Sequence, residues 1–479
     1  MESLALHTDL YQINMAYAYF NDNKHEKKAV FEAYFRKNPF NNGYAVFAGV
    51  ERIVDYINRF KFTEEDIEYL RELKIYSEDF LAYLKNMKFT GNIRVCQEGE
   101  IVFANEPLLI VEANLIEAQL LETAILNIIN FQTLIATKAS RIRNLAKTEG
   151  LFEFGARRAQ ELDAALWGAR ATIIGGFDGT SLVIAGEKFG LKIVGTHSHS
   201  FVQVYQDEKV AFKKYAESHK DCTFLVDTYD TLKSGLPNAI EVAKTFDPNK
   251  NVFSAIRIDS GDLAYQSKEA RKILDEAGFK NTKITVSNDL DEDTIASLLL
   301  EGSKIDNYGI GTKLITAYSQ PALGAVYKLV AVEEDQGMVD VIKISGSIEK
   351  ITTPGKKKVF RVINKLSNKS EGDYIILANE KVDEKKPLIM FEQSNPLIYK
   401  TIHNYCLKDI HIDLYIDGKI NYELPHINEI KDYCYKSLDL LWDEHKRYRN
   451  PARYYVDLSQ KCYENKQRLI SKYGNKKEK

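Results

Sequence analysis

Two of the chain's nine histidines stand two residues apart in Gly195-Thr196-His197-Ser198-His199-Ser200, directly after the apolar run LKIV. If a strand continues through them, both imidazoles share one face. That arrangement suits metal binding, proton transfer or attack on phosphorus. No third ligand at a metal-site spacing accompanies the pair, so metal is the lesser reading. A neutral imidazole can act as a nucleophile toward phosphorus when a carboxylate such as Asp227 fixes its tautomer and stabilises the charge that develops. The ordinary alternative for either residue is a satisfied buried histidine. Spacing does not choose between His197 and His199.

Other clusters point to a phosphorylated sugar. Arg257 and Asp259 are two apart in IRIDSGD and project to one side of a strand. A cation and a carboxylate there suit phosphates and a ribose diol, with Asp259 accepting hydroxyl hydrogen bonds or holding Mg²⁺. The bland reading is a structural Arg–Asp pair and a turn. Gly309-Ile310-Gly311-Thr312 lets backbone N–H groups approach a phosphate, with Thr312 adding a hydroxyl, or it simply turns the chain. In DTYD, Asp227 and Asp230 can each orient a histidine or a metal, although for Asp230 a capping turn is preferred. Phe154, Gly155, Ala156, Arg157 and Arg158 offer a ring and guanidiniums to a flat anionic aromatic acid, or equally form a helix start with solvated arginines. The glycine-dense stretch from Gly175 to Ser181 allows a ligand close to the backbone, or is a flexible loop.

The elements that must position these groups recur from about Leu225 to Leu314. Apolar β-branched runs end in polar positions at Asp227, Asp259, Asn288 and Gly309. Amphipathic stretches lie between them: Ala270, Ile273, Leu274 and Ala277 follow helical spacing up to Gly278, and an acidic first turn opens DEDTIASLLLEG. This strand–loop–helix rhythm belongs to a parallel sheet, open or closed into a barrel, whose active site collects at the C-terminal strand ends. The same reading extends backward to KIVGTHSHS and GLFEFGARRAQ. The expected class is α/β: an irregular α/β barrel over residues 131–330, an N-terminal α/β domain over 1–130, and a C-terminal region over 331–479 that returns to the N-terminal domain and adds an extension. NIRVCQEGEIVFANEPLLIVEA and the Lys-rich stretch after Val330 read as antiparallel strands, and the tail from about Asn428 as helical. The last five residues, NKKEK, are expected to fray.

Composition narrows the class further. The 479 residues are 44% hydrophobic and 28% charged with a formal net charge of -3, the profile of a folded protein with ample core and not of a nucleic-acid binder. The N-terminus lacks a signal-peptide pattern, and no apolar run reads as a membrane span, so a cytoplasmic protein is expected. The five scattered cysteines (Cys96, Cys222, Cys406, Cys434, Cys462) suit free thiols and neither a disulfide framework nor a zinc site.

Ten ordered motifs, among them TDLYQINMAYAYF, FRKNPFNNGYAVFAG, FEFGARRAQ, GGFDGTS, GTHSHSFVQ, IRIDSGDL, YGIGTKL and NPARYYVDLS, give nearly the whole chain a pattern that resembles the nicotinate phosphoribosyltransferase family. The resemblance implies an N-terminal α/β domain, an irregular barrel, and a head-to-tail homodimer that builds each active site from both chains. It implies the synthesis of nicotinate mononucleotide and pyrophosphate from nicotinate and phosphoribosyl pyrophosphate, with Mg²⁺ and coupled ATP hydrolysis, in NAD salvage by the Preiss-Handler route. The family pattern G-T-x-x-H-S selects His199 as the acceptor of the γ-phosphoryl group, with Asp227 as its partner, and leaves His197 to packing or hydrogen bonding. Phe154 matches the ring that stacks on the pyridine, Tyr11 reaches from the partner chain to its other face, and Arg157 sits beside the acid. Thr180 and Ser181 line the same pocket. Ser181 stands where the related nicotinamide enzyme has an aspartate, so the acid is favoured over the amide. Arg257, Asp259, Asn288 and Asp289 match ribose and diphosphate contacts, Gly309, Gly311 and Thr312 the 5′-phosphate loop, and Arg36 a pyrophosphate contact. The alternatives are a nicotinamide-using enzyme, a quinolinate phosphoribosyltransferase, and a nucleotide-binding scaffold without turnover.

Overall fold

A computed structural model describes residues 3–347, 350–393, 395 and 397–474; the segment NKKEK, expected to fray, lies outside the described residues. The chain divides into two compact units, one made of residues 1–137 and 322–479, the other of residues 138–321.

The second unit is built on six strands: β1 (Gly150–Glu153), β2 (Gly179–Thr180), β3 (Asp221–Leu225), β4 (Val252–Ile258), β5 (Lys283–Asn288) and β6 (Asn307–Ile310). They form one sheet in the order β2-β1-β6-β5-β4-β3, and every neighbouring pair is parallel. The βα rhythm is therefore real. The sheet curls as an open, unclosed barrel whose two edges are β2 and β3. Helices Leu263–Glu276 and Glu292–Leu300 begin where Asp262 and Asp291 accept the backbone N–H of Tyr265 and Thr294, so each polar strand end also starts a helix. Gly278 and Gly302, at φ +88° and +71°, follow the ends of these helices in the left-handed region that a side chain would oppose.

One expectation fails at the histidine pair. Ile193 makes only an isolated parallel bridge to Thr180, and the strand does not continue into GTHSHS. His199 instead opens helix Glu-free HSFVQVY (His199–Tyr205), so the two rings do not share a strand face.

In the first unit a seven-stranded antiparallel sheet runs in the order Gly337–Asp340, Val326–Glu334, Lys28–Tyr34, Leu109–Asn114, Asn92–Cys96, His411–Ile416 and Lys419–Ile420. Segments more than three hundred residues apart thus share one sheet. NIRVC and LLIVEA pair antiparallel as read, and so do Lys357–Asn364 and Ser370–Leu377 in a second sheet of six strands. The tail holds helices Ile427–Asp439 and Gln460–Tyr473. Arg361, fully buried, joins these layers: it donates to both oxygens of Asp373 at 2.9 and 2.8 Å and to Glu100 Oε1 at 2.6 Å. Burial alone would raise the Glu100 carboxyl, but Arg361 and Lys408 bring it down to about 2. The desolvation cost of such a buried network offsets much of its Coulombic attraction.

The helical run Leu115–Leu145 is long and apolar enough by composition to cross a membrane, which the sequence reading overlooked. Of its most apolar window, 67% is buried inside the protein, as in a core helix. All five cysteines are free.

Candidate active site

The C-terminal ends of β3, β4, β5 and β6 bring the polar positions together. Arg257, near the end of β4, donates from Nε to Ser287 Oγ at 3.0 Å and from Nη1 to Thr196 Oγ1 at 2.7 Å, while Nη2 lies 3.7 Å from Asp259 Oδ1. Ser287 in turn donates to Asp259 Oδ1. One guanidinium thus ties β4, β5 and the GTHSHS loop into a single rim. His199, with 40% of its side chain exposed, places Nε2 4.0 Å from Asp259 Oδ2 and Nδ1 3.2 Å from Thr228 Oγ1. Asn288 and Asp289 are exposed at the end of β5, and Asn288 takes φ +129°, a costly conformation of the kind that functional sites retain.

Asp227 is not the group that contacts His199. Its Oδ2 accepts the backbone N–H of Asp259 at 2.9 Å and the hydroxyl of Ser260 at 2.6 Å, while its Oδ1 is buried without a partner. The parallel pairing of β3 with β4 aims this carboxylate along the rim, so Thr228, the next residue, meets the ring. Asp230 caps the following turn through Leu232 and Lys233, as expected.

His197 and His199 have opposite environments. His197 is buried, its Nε2 accepts the N–H of Leu225 at 3.2 Å, and Phe201, Phe212, Tyr215 and Phe224 surround the ring at 5.0–6.3 Å. Burial, helped by Arg257, His199 and His219, pushes its pKa down to about 4. In the unfolded chain the ring titrates near its ordinary value, so between about pH 6.5 and 4 the unfolded state binds the proton first. The stabilisation is whole above that window and is lost as pH falls through it, on the order of 3 kcal/mol in all. Urea midpoints measured at pH 7 and pH 4.5 are expected to fall less in His197→Phe than in the parent chain.

The aromatic side of the site surrounds Phe154, whose ring stands 6.0 Å from the Arg257 guanidinium carbon. The sequence grouped Gly309 with Gly311 and Thr312 as a phosphate loop. Gly309 lies within β6, and a Cβ there would come within 2.5 Å of two carbons of the Phe154 ring. Its missing side chain is the seat of the ring. Gly311 and Thr312 do turn the chain out of β6, with a Cβ on Gly311 reaching 3.1 Å from the Phe154 carbonyl oxygen and Thr312 opening the short helix Thr312–Ile315. Arg157 is exposed on the turn Ala156–Arg158, and Ser181 is exposed after β2.

Thr180 is buried and commits its hydroxyl to Glu153 Oε2 at 2.6 Å, so it shapes the pocket rather than donating into it. Glu153 is the residue that sequence reasoning missed. Fully buried at the end of β1, it also accepts the N–H of Gly155 through its other oxygen, and its backbone carbonyl accepts the N–H of Ser181 at 2.9 Å. Burial raises its carboxyl above the ordinary range, against the hydrogen bonds from Thr180 and Gly155. The signal was available in FEFGARR: a lone carboxylate inside a buried strand, next to the candidate ring, needs a partner.

The first unit carries Tyr11 and Arg36. Tyr11 is 50% exposed on helix Leu10–Asn21, and its hydroxyl accepts from Gln12 at 2.9 Å. Arg36 follows strand Lys28–Tyr34, and its Nε is buried without a partner. Lys328 joins it as a second cation the sequence did not flag. Burial, opposed by Glu122 and reinforced by Lys343 and Arg36, lowers the Lys328 ammonium. Among the described residues no group of three or more His, Cys, Asp or Glu side chains is placed to hold a metal ion.

A parallel α/β sheet that gathers a cation, a carboxylate, an imidazole and an aromatic ring at its strand ends has the arrangement of an enzyme active site. Three models of nicotinate phosphoribosyltransferase match the chain: the N-terminal domain over residues 6–130, the family model over 150–369, and the C-terminal domain over 356–466. The nicotinate phosphoribosyltransferase of Bacillus subtilis (strain 168) is 56% identical over 469 residues, 98% of this chain and 96% of that one. The human protein of the same name is 32% identical over 528 residues, covering 95% and 94% of the two chains. The crystal structure of human nicotinic acid phosphoribosyltransferase superposes with a TM-score of 0.85 at 29% identity, covering 96% of this chain and 99% of that one. The chain belongs to the nicotinate phosphoribosyltransferase family.

Proposed function

We propose that the barrel end of the second unit carries out the family's reaction, joining nicotinate to phosphoribosyl pyrophosphate to give nicotinate mononucleotide and pyrophosphate in NAD biosynthesis, and that ATP drives it through a phosphohistidine. The observation that carries this reading is the convergence of His199, Arg257 and Asp259 at one strand-end rim, with Phe154 beside the same guanidinium.

In the sugar transfer, the bond from C1 of the ribose to the pyrophosphate oxygen breaks and a bond from C1 to the pyridine nitrogen forms. The attacking nitrogen carries no proton, so no general base is needed. Phe154 holds the ring within attack distance, and Arg157 faces its carboxylate. Asp259 binds the ribose hydroxyls, while Arg257 offsets charge on the phosphates. Gly311 and Thr312 receive the 5′-phosphate. In the coupled step, Nε2 of His199 attacks the γ-phosphorus, the bond to the bridging oxygen breaks, and ADP leaves. The contact of Nδ1 with Thr228 leaves Nε2 the free lone pair when Nδ1 carries the proton.

Mg²⁺ fits this site as a substrate-borne ion. It is usually held by one or two carboxylates plus phosphates, and the Asp259 carboxylate and the unpartnered Oδ1 of Asp227 are such donors. When bound it would offset charge on the leaving pyrophosphate.

Tyr11 and Arg36 belong to the first unit and the rim to the second. We assign Tyr11 to the open face of the pyridine in the site of a partner chain of a homodimer, and Arg36 to pyrophosphate. The five free cysteines suit a reducing cytoplasm.

The test is product formation, read by chromatography, from phosphoribosyl pyrophosphate and Mg²⁺ with nicotinate or nicotinamide, each with and without ATP. Product from the acid, enhanced by ATP, supports the reading; product from the amide alone sinks the pocket assignment, and none from either favours a binding scaffold. Ser181→Asp is expected to shift the ratio of kcat/KM for acid over amide at least about tenfold toward the amide, because like charges ~4 Å apart in a partly screened site repel by ~1–4 kcal/mol.

A further inference from the structure

The first unit has an open-mouthed pocket of about 810 Å³ that no step of this reaction uses. Its wall includes Lys37, Asn38, Asn105, Gln393, Arg453 and Lys466. A volume of that order lies in the range of small-molecule sites, roughly 300–1,000 Å³.

The charges around it do not balance. Lys466, on helix Gln460–Tyr473, is only 7% exposed, and its ammonium reaches one protein acceptor, Thr353 Oγ1 at 3.3 Å. Among the described residues no carboxylate lies within salt-bridge distance of it. The adjacent Lys357 is satisfied: it pairs with Glu32 at 2.9 Å and donates to the carbonyls of Thr353 and Gly355, both at 2.6 Å. Glu32 therefore serves Lys357 and leaves Lys466 unmatched. Burial lowers the Lys466 ammonium to about 8, so it still carries its charge near pH 7. Arg453 is matched at 2.7 Å by Glu392, a buried carboxylate that also lines the cavity, and among the described residues the exposed Lys37 has no ion-pair partner. Two cations thus remain unneutralised beside side-chain amides of Asn38, Asn105 and Gln393. A buried ammonium without a counter-ion is costly, and an anion entering the cavity would remove that cost.

We propose that this cavity is a second binding site, distinct from the barrel rim, for a phosphate-bearing small molecule whose anionic group is held by Lys466 and Lys37. Free pyrophosphate and a nucleoside triphosphate share that chemistry. The amides supply donors and acceptors for the remainder of the ligand.

The experiment uses the full chain carrying Arg257→Ala, which removes the guanidinium of the barrel rim, and measures binding of radiolabelled pyrophosphate and of Mg-ATP by equilibrium dialysis. One saturable site per chain is expected to persist, and adding Lys466→Met or Lys37→Met is expected to weaken it at least about tenfold. Saturation by ATP but not pyrophosphate identifies a nucleotide site; saturation by pyrophosphate identifies a polyphosphate site. Crystals soaked in tungstate are expected to show an anomalous peak beside Lys466 Nζ. Lys466→Met removes an unmatched buried charge at nearly constant volume, so the chain remains folded, which a circular dichroism melt checks. Loss of all binding in Arg257→Ala, or binding indifferent to Lys466→Met, overturns the proposal. Neither result depends on whether the barrel end transfers phosphoribose.

Discussion

His199→Ala is expected to erase stimulation by ATP while leaving a slower, ATP-independent synthesis of nicotinate mononucleotide. The ring is the exposed imidazole of the rim, with Nε2 4.0 Å from Asp259 and Nδ1 3.2 Å from Thr228. In the proposed mechanism its removal abolishes the phosphoenzyme and leaves Phe154, Arg257 and the strand ends to bind substrates. ATP coupling is then a free energy linking two sites, and such couplings run to ~1–3 kcal/mol, or roughly 5–150-fold in affinity. We expect the ratio of kcat/KM with and without ATP to collapse by that factor. Acid-labile incorporation of label from γ-labelled ATP should vanish at the same time. Thr228→Val, which keeps the shape but removes the contact with Nδ1, should slow phosphoenzyme formation without abolishing it. Undiminished labelling in His199→Ala would place the phosphoryl acceptor elsewhere.

Gly309→Ala should be nearly as damaging, although the change is one methyl group. A Cβ at this position meets two Phe154 ring carbons at 2.5 Å, and neither can stay where it is. The backbone of β6 does not require a glycine here, since its φ lies outside the left-handed region. The cost is therefore local: the Phe154 ring, which we assign to stacking on the pyridine, must swing away. A displacement of about 1 Å in a positioning group costs roughly 10²-fold in rate. The loss should appear in kcat/KM for nicotinate, with KM for phosphoribosyl pyrophosphate little changed. If Gly309 instead presented its N–H to the 5′-phosphate, the sugar KM would carry the defect. Combining the change with Phe154→Ala separates the readings, because a methyl group that acts through the ring adds little once the ring is gone.

Much of the fold was legible because its signals are local. The βα rhythm appears as runs of apolar residues ending in Asp227, Asp259, Asn288 and Gly309, and the helices between them carry their caps and stop glycines within a few residues. Arg257 and Asp259 could be placed on one face from period two alone, and their 3.7 Å approach agrees. The histidines were harder. Alternation put both rings on one face, whereas Ser198 ends the extended segment and His199 starts a helix, which turns one ring into the aromatic core and the other to the rim.

What the sequence determined by itself was thus the class of the fold, its strand–loop–helix rhythm and the shared face of Arg257 and Asp259, since each depends on patterns within about ten residues. Tertiary structure alone decided the partners. Because β1 pairs with β6 across more than a hundred and fifty residues, Gly309 became the seat of Phe154. Because β3 pairs with β4, Asp227 met the Asp259 backbone and left His199 to Thr228. The unmatched charge of Lys466 emerged only when the terminal helix packed beside Thr353 and Lys357 had already taken Glu32. Each is a contact between segments far apart in the chain, and no local periodicity encodes which of several acceptors a side chain will reach.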